Sequence, residues 1–232
     1  MSKGFLITLE GIDGAGKTTQ ASLLAAQLMA LGFQVLRTRE PGGTEVCSRI
    51  RDLLLAPVPG GCSDLVPLTE LLLLAADRAQ HVAEILEPAL SCGKVVVCER
   101  FTDSTLAYQG YGLGLSLETI DTVNRLSTAG LTPDLTLLLD VEPRTGLSRR
   151  PGRSGRGTDA DRIEGRGLPF LERVRAGFRA LALSEPRRIR LIDCTSGSIP
   201  EIHDVIVSTV EKELGECPAY RSPDGESGEG GH

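Results

Sequence analysis

The residues with the clearest chemical role stand near the amino terminus, in the run Gly11-Ile12-Asp13-Gly14-Ala15-Gly16-Lys17-Thr18. This run matches the pattern GxxxxGK(S/T), whose glycines let successive backbone N–H groups turn inward towards phosphate oxygens. The lysine of the pattern neutralises the β- and γ-phosphates, and the hydroxyl beside it holds Mg²⁺. A strand-like run precedes the pattern and a helical pattern follows it, which is the required context. The sequence therefore predicts a nucleoside triphosphate site over residues 11–19, including Thr19.

A carboxylate and a guanidinium follow another strand-like run, Val95–Cys98. In a parallel sheet, the ligand lies beside the carboxyl ends of the strands. We therefore expect Glu99 to organise the water shell of the metal together with Thr18, and Arg100 to supply a bidentate fork for a second phosphate. The alternative is an exposed ion pair of little energetic consequence. The functional interpretation is favoured because polar side chains follow directly, at Ser104, Thr105 and Tyr108.

A second basic cluster lies in the segment Arg37-Thr38-Arg39-Glu40-Pro41-Gly42-Gly43-Thr44. Pro-Gly-Gly predicts a tight turn, and Thr44 can cap the next helix. Arg39, and Arg51 in that helix, would then face the same crevice as the phosphate-binding loop. Alone, the segment could be an ordinary charged loop. Together with Arg100 it indicates an anionic acceptor, held by its own phosphate so that transfer from the triphosphate becomes a positioned reaction.

The stretch from Arg144 to Arg190 is rich in arginine and contains no lysine. Within it, Pro151–Gly157 has no hydrophobic period, which predicts a mobile loop. We expect a lid over about residues 149–164 that closes over the γ-phosphate, excludes water and supplies a catalytic guanidinium. Its candidates are Arg150, Arg153 and Arg156, and the sequence leaves the choice open. The rival interpretation, a basic face for nucleic acid, is disfavoured by a net charge of −6 and an aromatic content of 3%.

Short apolar runs alternate with longer helical patterns along the chain. The strand candidates are Phe5–Leu9, Val35–Arg37, Val95–Cys98, Leu135–Leu139 and Ile189–Ile192. The helical patterns cover approximately Lys17–Leu31, Thr44–Leu55, Pro67–Leu90, Leu117–Ala129, Leu168–Leu183 and Ile199–Leu214. Strands that are apolar on both sides suit a parallel sheet covered on each face. The alternation predicts an α/β fold, a doubly wound five-stranded parallel sheet with helices on both faces.

Composition narrows the class of protein and its surroundings. The six cysteines are scattered without a CxxC pair, so we expect reduced structural thiols in a cytoplasmic protein, not disulfides or zinc. We expect no signal peptide, and no membrane partner because no apolar run is long enough to span a bilayer. We also expect one domain over residues 1–216 and a disordered tail over residues 217–232, a stretch with almost no apolar side chains.

These motifs, in this order, resemble those of the thymidylate kinase family, particularly its bacterial branch. The resemblance covers about residues 4–214 and rests on Leu9–Gln20, Thr38–Thr44, Ala76–His81, Glu99–Ser104, Ala107–Gly110 and Asp161–Glu164. It implies a P-loop kinase with a mobile lid, ATP as donor, Mg²⁺, dTMP as acceptor and dTDP as product. It also implies a homodimer, for which the leucine-rich Leu68–Leu90 pattern offers an apolar face, although that pattern suits a core helix equally well.

The resemblance assigns roles to single residues at the phosphates. Lys17 and Thr18 would serve ATP and Mg²⁺, and Asp13 would contact the region of the acceptor's 3′-hydroxyl. Arg39 and Arg100 would bind the dTMP phosphate. Asp13 in the loop, with arginines in the lid, resembles the bacterial arrangement in which the lid supplies the catalytic cation.

The resemblance also implies how the base and the sugar are held. Arg78 would reach a thymine carbonyl, and Thr105 would lie near the base edge. Tyr108 would crowd the 2′ position of the sugar and leave no room for a hydroxyl there. The implied dTMP site is completed by Leu74, Ser104 and Gln109.

Two positions depart from the family pattern. Glu99 stands where family members usually carry Asp, so the metal-side carboxylate is one methylene longer and a shifted water bridge is expected. Leu74 stands where many relatives carry a Phe that stacks on thymine. An aliphatic side chain still buries the base but gives up an aromatic contact of about 0.5–1.5 kcal/mol.

Two other functions are open on the sequence. One is a kinase for another acceptor, such as dUMP, UMP or an unphosphorylated deoxynucleoside, although the paired acceptor arginines weigh against the last of these. The other is a P-loop switch or assembly protein without a small-molecule acceptor. The switch segment expected of such a protein is missing from the sequence.

Overall fold

A computed structural model describes residues 4–56, 65–149 and 166–216. The lid candidates Arg150, Arg153 and Arg156 lie outside the described residues, as does the rest of the predicted lid from residue 150 onward. The same holds for the predicted tail over residues 217–232. The predictions for these segments, and the division into one domain and a tail, stay predictions.

Five parallel strands form one sheet within the described residues: β1 (Phe5–Glu10), β2 (Val35–Arg39), β3 (Val95–Glu99), β4 (Leu135–Asp140) and β5 (Ile189–Asp193). Their order across the sheet is β2-β3-β1-β4-β5, with β1 at the centre. Every residue of β1, β3 and β4 is buried, as expected of strands covered on both faces. The predicted α/β class with a five-stranded parallel sheet is confirmed.

The helices are α1 (Lys17–Ala30), α2 (Glu45–Leu55), α3 (Pro67–His81), α4 (Glu87–Ser91), α5 (Thr102–Thr105), α6 (Leu117–Thr128), α7 (Pro143–Ser148), α8 (Leu168–Ser184) and α9 (Ile199–Glu216). A π-helical turn, Val82–Leu86, joins α3 to α4, and a second π-helical segment, Leu106–Gly112, continues α5. No helix among the described residues is long and apolar enough to cross a membrane.

Neighbouring residues of β1 and of β3 point to opposite faces of the sheet and enter two separate hydrophobic clusters. On one face, Ile7 and Val97 belong to a cluster with Leu24 of α1 and with side chains of α8 and α9. On the other face, Leu6 belongs to a cluster with Leu86 and other residues of the helix that follows α3. Because helices cover both faces, the carboxyl edge of the sheet is the place where loops can form a site.

Two of the helices that begin at this edge have side-chain caps at their first turns. Thr44 caps α2 by accepting a hydrogen bond from the backbone N–H of Cys47 at 3.1 Å. Ser198 and Glu201 form a capping box at α9, in which the Ser198 N–H donates to Glu201 Oε2 at 2.8 Å and the Glu201 N–H donates to Ser198 Oγ at 3.4 Å. Local sequence therefore fixes how α2 and α9 leave the sheet.

The helical segment Thr102–Gly112 was not predicted from the sequence. Its glycines lower the intrinsic helix propensity. The same glycines permit close packing, because a Cβ at Gly110 would lie 2.5 Å from the Leu117 side chain and one at Gly112 would lie 2.6 Å from Phe170. Contacts with α6 and α8 thus stabilise this helical segment, and a local pattern does not contain them.

Candidate active site

The phosphate-binding loop connects the central strand β1 to α1 at the carboxyl edge of the sheet. Gly11, Gly14 and Gly16 have φ angles of 135°, 81° and 95°, a region that L-residues with side chains disfavour. At Gly14, a Cβ would also lie 2.0 Å from the backbone oxygen of Gly146. The loop is therefore packed tightly against α7 and has the curled backbone that its pattern predicts.

Lys17 lies inside this loop. Its Nζ donates hydrogen bonds to the backbone oxygens of Gly11 at 3.0 Å and Ile12 at 2.9 Å. Burial, and next the charge of Arg100, lower the pKa of Lys17 to about 8 against the opposite effect of Asp13. Negative charge added at the loop would therefore stabilise the protonated lysine.

Thr18 and Glu99 meet although they are far apart in the sequence. The strands β1 and β3 are neighbours, with Leu9 paired to Glu99, and Thr18 Oγ1 donates a hydrogen bond to Glu99 Oε2 at 2.6 Å. Both side chains offer oxygen ligands, which Mg²⁺ prefers. The described parts of the chain contain no group of three His, Cys, Asp or Glu side chains that could hold a metal. A metal ion beside Thr18 would therefore need phosphate oxygens and water as its other ligands.

Arg100 follows β3 and has a left-handed backbone, with a φ angle of 64°. Its guanidinium donates hydrogen bonds to Asp13 Oδ1 at 2.5 Å and to the Tyr108 hydroxyl at 3.1 Å. It also donates to Ser104 Oγ at 3.1 Å and to the Gly11 backbone oxygen at 3.2 Å. Burial lowers the pKa of Arg100, but Tyr108 and Asp13 outweigh burial and leave the pKa above its usual value. A permanently charged group thus joins the phosphate-binding loop to the segment after β3.

Two cavities adjoin at these residues. The larger, which we call the donor cleft, has a volume of about 720 Å³ and runs from the phosphate-binding loop to Arg149 and the beginning of α9. The smaller, which we call the acceptor pocket, has a volume of about 120 Å³ and is lined by side chains of α2, α3 and the segment after β3. The residues that line both are Asp13, Glu40, Arg51 and Arg100.

The acceptor pocket brings together most of the side chains that were predicted to bind dTMP. The predicted residues that line it are Asp13, Leu74, Arg78, Arg100, Ser104, Thr105, Tyr108 and Gln109. Arg39 lines the donor cleft instead. Arg51, which the sequence placed in the same crevice, lies at the junction of the two cavities.

Arg78 is buried in the wall of the acceptor pocket, and three hydrogen bonds fix its guanidinium. Nε donates to Glu40 Oε2 at 2.9 Å, Nη1 to Asn124 Oδ1 at 2.7 Å and Nη2 to Thr105 Oγ1 at 2.9 Å. Glu40 is buried as well and bonds to His81 Nδ1 at 3.1 Å. No role for Glu40 or Asn124 was predicted from the sequence. Glu40 could have been found from the sequence, because it lies in the basic cluster Arg37–Thr44. Asn124 could not, because it lies in α6 and belongs to no local motif.

A second buried ion pair holds Gln109. Gln109 Nε2 donates to Glu70 Oε1 at 2.9 Å, and the Arg166 guanidinium donates to the two Glu70 oxygens at 3.1 and 2.6 Å. Gln109 Oε1 has no hydrogen-bond partner among the residues that the structure describes. This pair ties α3 to the segment that enters α8, and the sequence singled out neither Glu70 nor Arg166.

The donor cleft contains the predicted loop at one end and unpredicted residues at the other. Residues 13–19 line it, while Gly11 and Ile12 supply the carbonyl groups that hold Lys17. At the far end, Arg149 donates to the backbone oxygens of Cys194 at 2.8 Å and Thr195 at 3.0 Å. The cleft beyond the phosphate-binding loop therefore has room for the nucleoside part of a triphosphate.

Comparison with known proteins gives the family. A family model described as thymidylate kinase matches residues 9–206. The thymidylate kinase of Pelotomaculum thermopropionicum is 54% identical over 193 residues, which cover 83% of this chain and 87% of that protein. The thymidylate kinase of Synechococcus sp. (strain JA-2-3B'a(2-13)) is 51% identical over 217 residues, which cover 94% of this chain and 99% of that protein.

A solved structure agrees with these sequence matches. The crystal structure of thymidylate kinase from Ehrlichia chaffeensis is similar with a TM-score of 0.71 and 35% sequence identity. The similarity covers 90% of this chain and 99% of that chain. It therefore includes most of the sheet and its helices and is not limited to the widely shared phosphate-binding loop. On its sequence and its fold alike, the chain belongs to the thymidylate kinase family.

Proposed function

We propose that the protein transfers the γ-phosphoryl group of ATP to the phosphate of dTMP, with dTDP and ADP as products. The observation that carries this proposal is the junction of the donor cleft and the acceptor pocket at Asp13 and Arg100. Phosphate groups bound on the two sides of this junction would lie end to end, as in-line transfer requires. Membership of the thymidylate kinase family supports dTMP as the acceptor.

The catalytic contribution of the protein would be positioning and stabilisation of negative charge. Lys17 would neutralise the β- and γ-phosphates of ATP. Arg100 would bind the acceptor phosphate, with Arg39 approaching from the donor cleft. Because Asp13 and Tyr108 already hold the Arg100 guanidinium, little rearrangement is needed when the acceptor arrives.

Thr18 and Glu99 are the residues that would hold Mg²⁺. Their side-chain oxygens lie 2.6 Å apart at the donor cleft, and both are of the ligand type that Mg²⁺ prefers. The ion would offset the charge of the phosphates when bound. The bond between Thr18 and Glu99 supports the expectation that the longer Glu side chain still reaches this position.

The acceptor pocket suits a deoxypyrimidine monophosphate. Arg78 presents a fixed planar donor that fits a base carbonyl, and Leu74 offers an apolar contact to the ring. Tyr108 packs edge-to-face against Phe170 and Phe178, with ring centroids 6.0 and 6.1 Å away. A tyrosine ring fixed in this way supports steric exclusion of a 2′-hydroxyl.

Three further expectations complete the proposal. One of the lid arginines Arg150, Arg153 and Arg156 is proposed to bring an additional cation to the transferring group. A homodimer is proposed from the resemblance to the family, and a cytoplasmic location from the scattered cysteines. The arrangement of the two cavities does not depend on any of these three expectations.

The test is ADP release measured with dTMP, dUMP, UMP, dCMP and deoxythymidine as acceptors, each with Mg²⁺ and again after chelation. We expect release to be fastest with dTMP, to stop on chelation and to return when Mg²⁺ is restored. A Lys17→Ala preparation is the control for contaminating kinases. Release that is equal with and without every acceptor would contradict the proposal and favour a nucleotide switch.

A further inference from the structure

Glu10 is a buried carboxylate to which the sequence gave no role. It is the last residue of β1 and stands directly before the phosphate-binding loop. Glu10 Oε1 accepts hydrogen bonds from the backbone N–H of Phe101 at 2.7 Å and of Ser104 at 3.3 Å. Glu10 Oε2 accepts a bond from Ser104 Oγ at 2.5 Å. A single carboxylate therefore holds both the backbone and a side chain of the segment after β3.

The three donors belong to residues that follow Arg100 within four positions. Phe101 follows Arg100 directly, and the hydroxyl of Ser104 is also a contact of the Arg100 guanidinium at 3.1 Å. On its other side, the Arg100 N–H donates to the backbone oxygen of Leu9 at 3.0 Å. Both anchors, Leu9 and Glu10, belong to the end of β1. The central strand therefore holds the backbone of Arg100 itself and of the residues that follow it.

Arg100 needs such support because its backbone is left-handed. A φ angle of 64° is unfavourable for a residue with a side chain, and it persists only where neighbouring contacts enforce it. In this conformation the guanidinium reaches Asp13 Oδ1 at 2.5 Å, in the phosphate-binding loop. Relaxation of the segment Phe101–Ser104 would therefore move the cation that is shared by the donor cleft and the acceptor pocket.

We propose that Glu10 is a positioning residue for binding of the acceptor phosphate, acting through Arg100. This inference rests on the proposed function, in which Arg100 receives the phosphate of a nucleoside monophosphate. A carboxylate accepts all three bonds, whereas an amide in its place would keep the two backbone bonds on its oxygen and would donate to Ser104 Oγ, so the bond donated by the serine hydroxyl would be lost. Burial, and next the charge of Asp103, raise the pKa of Glu10 to about 7, against the effects of its bonds and of Arg100. Glu10→Gln is thus close to a mimic of the protonated residue.

The alternative is that Glu10 only stabilises the fold, and Asp140 supplies the matched control. Asp140 is also a buried carboxylate at the end of a strand, and it accepts bonds from Arg175 at 2.7 and 2.9 Å and from Arg179 at 3.2 Å. These partners lie in α8 and have no contact with Arg100. Asp140→Asn therefore removes a comparable charge from a comparable place without loosening the acceptor arginine.

The first experiment compares Glu10→Gln, Ser104→Ala and Asp140→Asn by steady-state kinetics, ATP binding and urea unfolding. For Glu10→Gln we expect kcat/KM for dTMP to fall about tenfold to a hundredfold while the Kd of ATP changes less than about threefold. Ser104→Ala should lower kcat/KM for dTMP by a smaller factor. It replaces Glu10→Gln in the comparison if Glu10→Gln does not fold. Asp140→Asn should lower the urea midpoint and leave KM for dTMP unchanged. Equal losses of dTMP use in Glu10→Gln and Asp140→Asn would overturn the inference.

The second experiment combines Glu10→Gln with Arg100→Ala. If Glu10 acts through Arg100, the double variant should have the same kcat/KM for dTMP as Arg100→Ala alone. Independent effects that multiply would contradict the inference. If the acceptor panel identifies another monophosphate, the same cycle is measured with that acceptor. A wrong assignment of dTMP and a wrong role for Glu10 therefore give different results.

Discussion

The donor cleft and the acceptor pocket are built in different ways. The phosphate end of the donor cleft takes its shape from one local run, in which glycine backbone angles and the carbonyl groups of Gly11 and Ile12 hold Lys17. The acceptor pocket takes its shape from side chains on separate helices, joined by buried pairs such as Arg78–Glu40. A local motif is therefore enough to predict the phosphate end of the donor cleft, whereas the acceptor pocket depends on the whole fold.

The charges of the two regions differ as well. The pKa of Lys17 in the donor cleft is lowered to about 8, so phosphates that bind there would stabilise its charge further. In the acceptor pocket, Arg100 and Arg78 are each paired with a carboxylate at 2.5 and 2.9 Å. We therefore expect substitutions in the donor cleft to change mainly the rate of catalysis. Substitutions in the acceptor pocket should change both substrate binding and the stability of the fold.

The largest effect is expected for Lys17→Ala. Loss of the only cation within the loop run 11–18 should lower turnover by about 10³-fold, because charge on the transferring group is no longer stabilised. Initial-rate ADP release measures this. Lys212→Ala, an exposed lysine in α9, is the control and should keep normal turnover. Near-normal turnover of Lys17→Ala would remove the assignment of the donor cleft.

Arg100→Ala should separate the two regions. We expect kcat/KM for dTMP to fall about 10²-fold, since charge-assisted bonds to the acceptor phosphate are lost, while ATP still binds. Initial rates at varied dTMP and calorimetric titration with each nucleotide check this, with the exposed Arg125→Ala as control. Loss of ATP binding with dTMP binding intact would mean that the donor and acceptor assignments are reversed.

Glu40→Ala tests whether the acceptor pocket is coupled to stability. Removing this carboxylate leaves Arg78 buried and unpaired, so the free energy of unfolding should fall by about 3 kcal/mol. Glu45→Ala breaks the exposed pair with Arg49 and should change it by less than about 1 kcal/mol. Urea titrations of both variants give the comparison. Equal small losses would show that the Arg78–Glu40 pair does not support the pocket.

The pH dependence of kcat/KM for ATP should report the titration of Lys17 in the donor cleft. Because the pKa of Lys17 is lowered to about 8, its proton is lost as pH rises through this value, and attraction for the triphosphate is lost with it. We expect kcat/KM for ATP to fall by about tenfold per pH unit above pH 8, since this constant reports the free enzyme. The fall in kcat should begin at higher pH, because bound phosphates stabilise the protonated lysine. A kcat/KM that is flat up to pH 10 would contradict this.

The smallest effect is expected for Leu74→Phe. Leu74 lines the acceptor pocket at the position where the resemblance implies a stacking Phe, and a ring there should lower KM for dTMP by about two- to tenfold. Leu72→Phe, on an exposed position of the same helix, should leave KM unchanged. An unchanged or higher KM in Leu74→Phe would indicate that another side chain already fills this contact.

The fold was largely predictable because its signals are local. The strand runs, the cap at Thr44 and the alternation with helices all appear in the sequence, and each is confirmed. The segment Thr102–Gly112 was missed because close contacts of its glycines with α6 and α8 decide its helical form. Tertiary contacts of this kind leave no period in the sequence.

The sequence predicts those site residues that belong to a local motif or that directly follow a strand. Lys17, Thr18 and Glu99 follow from motif and strand position, and the structure brings them together. Asn124 and Glu70 could not be found because they act through Arg78 and Gln109, which lie in other helices. Such partners become visible only when the helices are packed.

The most direct test of the account is a crystal structure with a non-hydrolysable ATP analogue, Mg²⁺ and dTMP bound together. The account predicts the triphosphate on the loop around Lys17 and the dTMP phosphate on Arg100. The attacking oxygen should lie about 3–3.5 Å from the γ-phosphorus and in line with the bond to be broken. A dTMP molecule outside the acceptor pocket, or phosphates held too far apart for direct transfer, would contradict it.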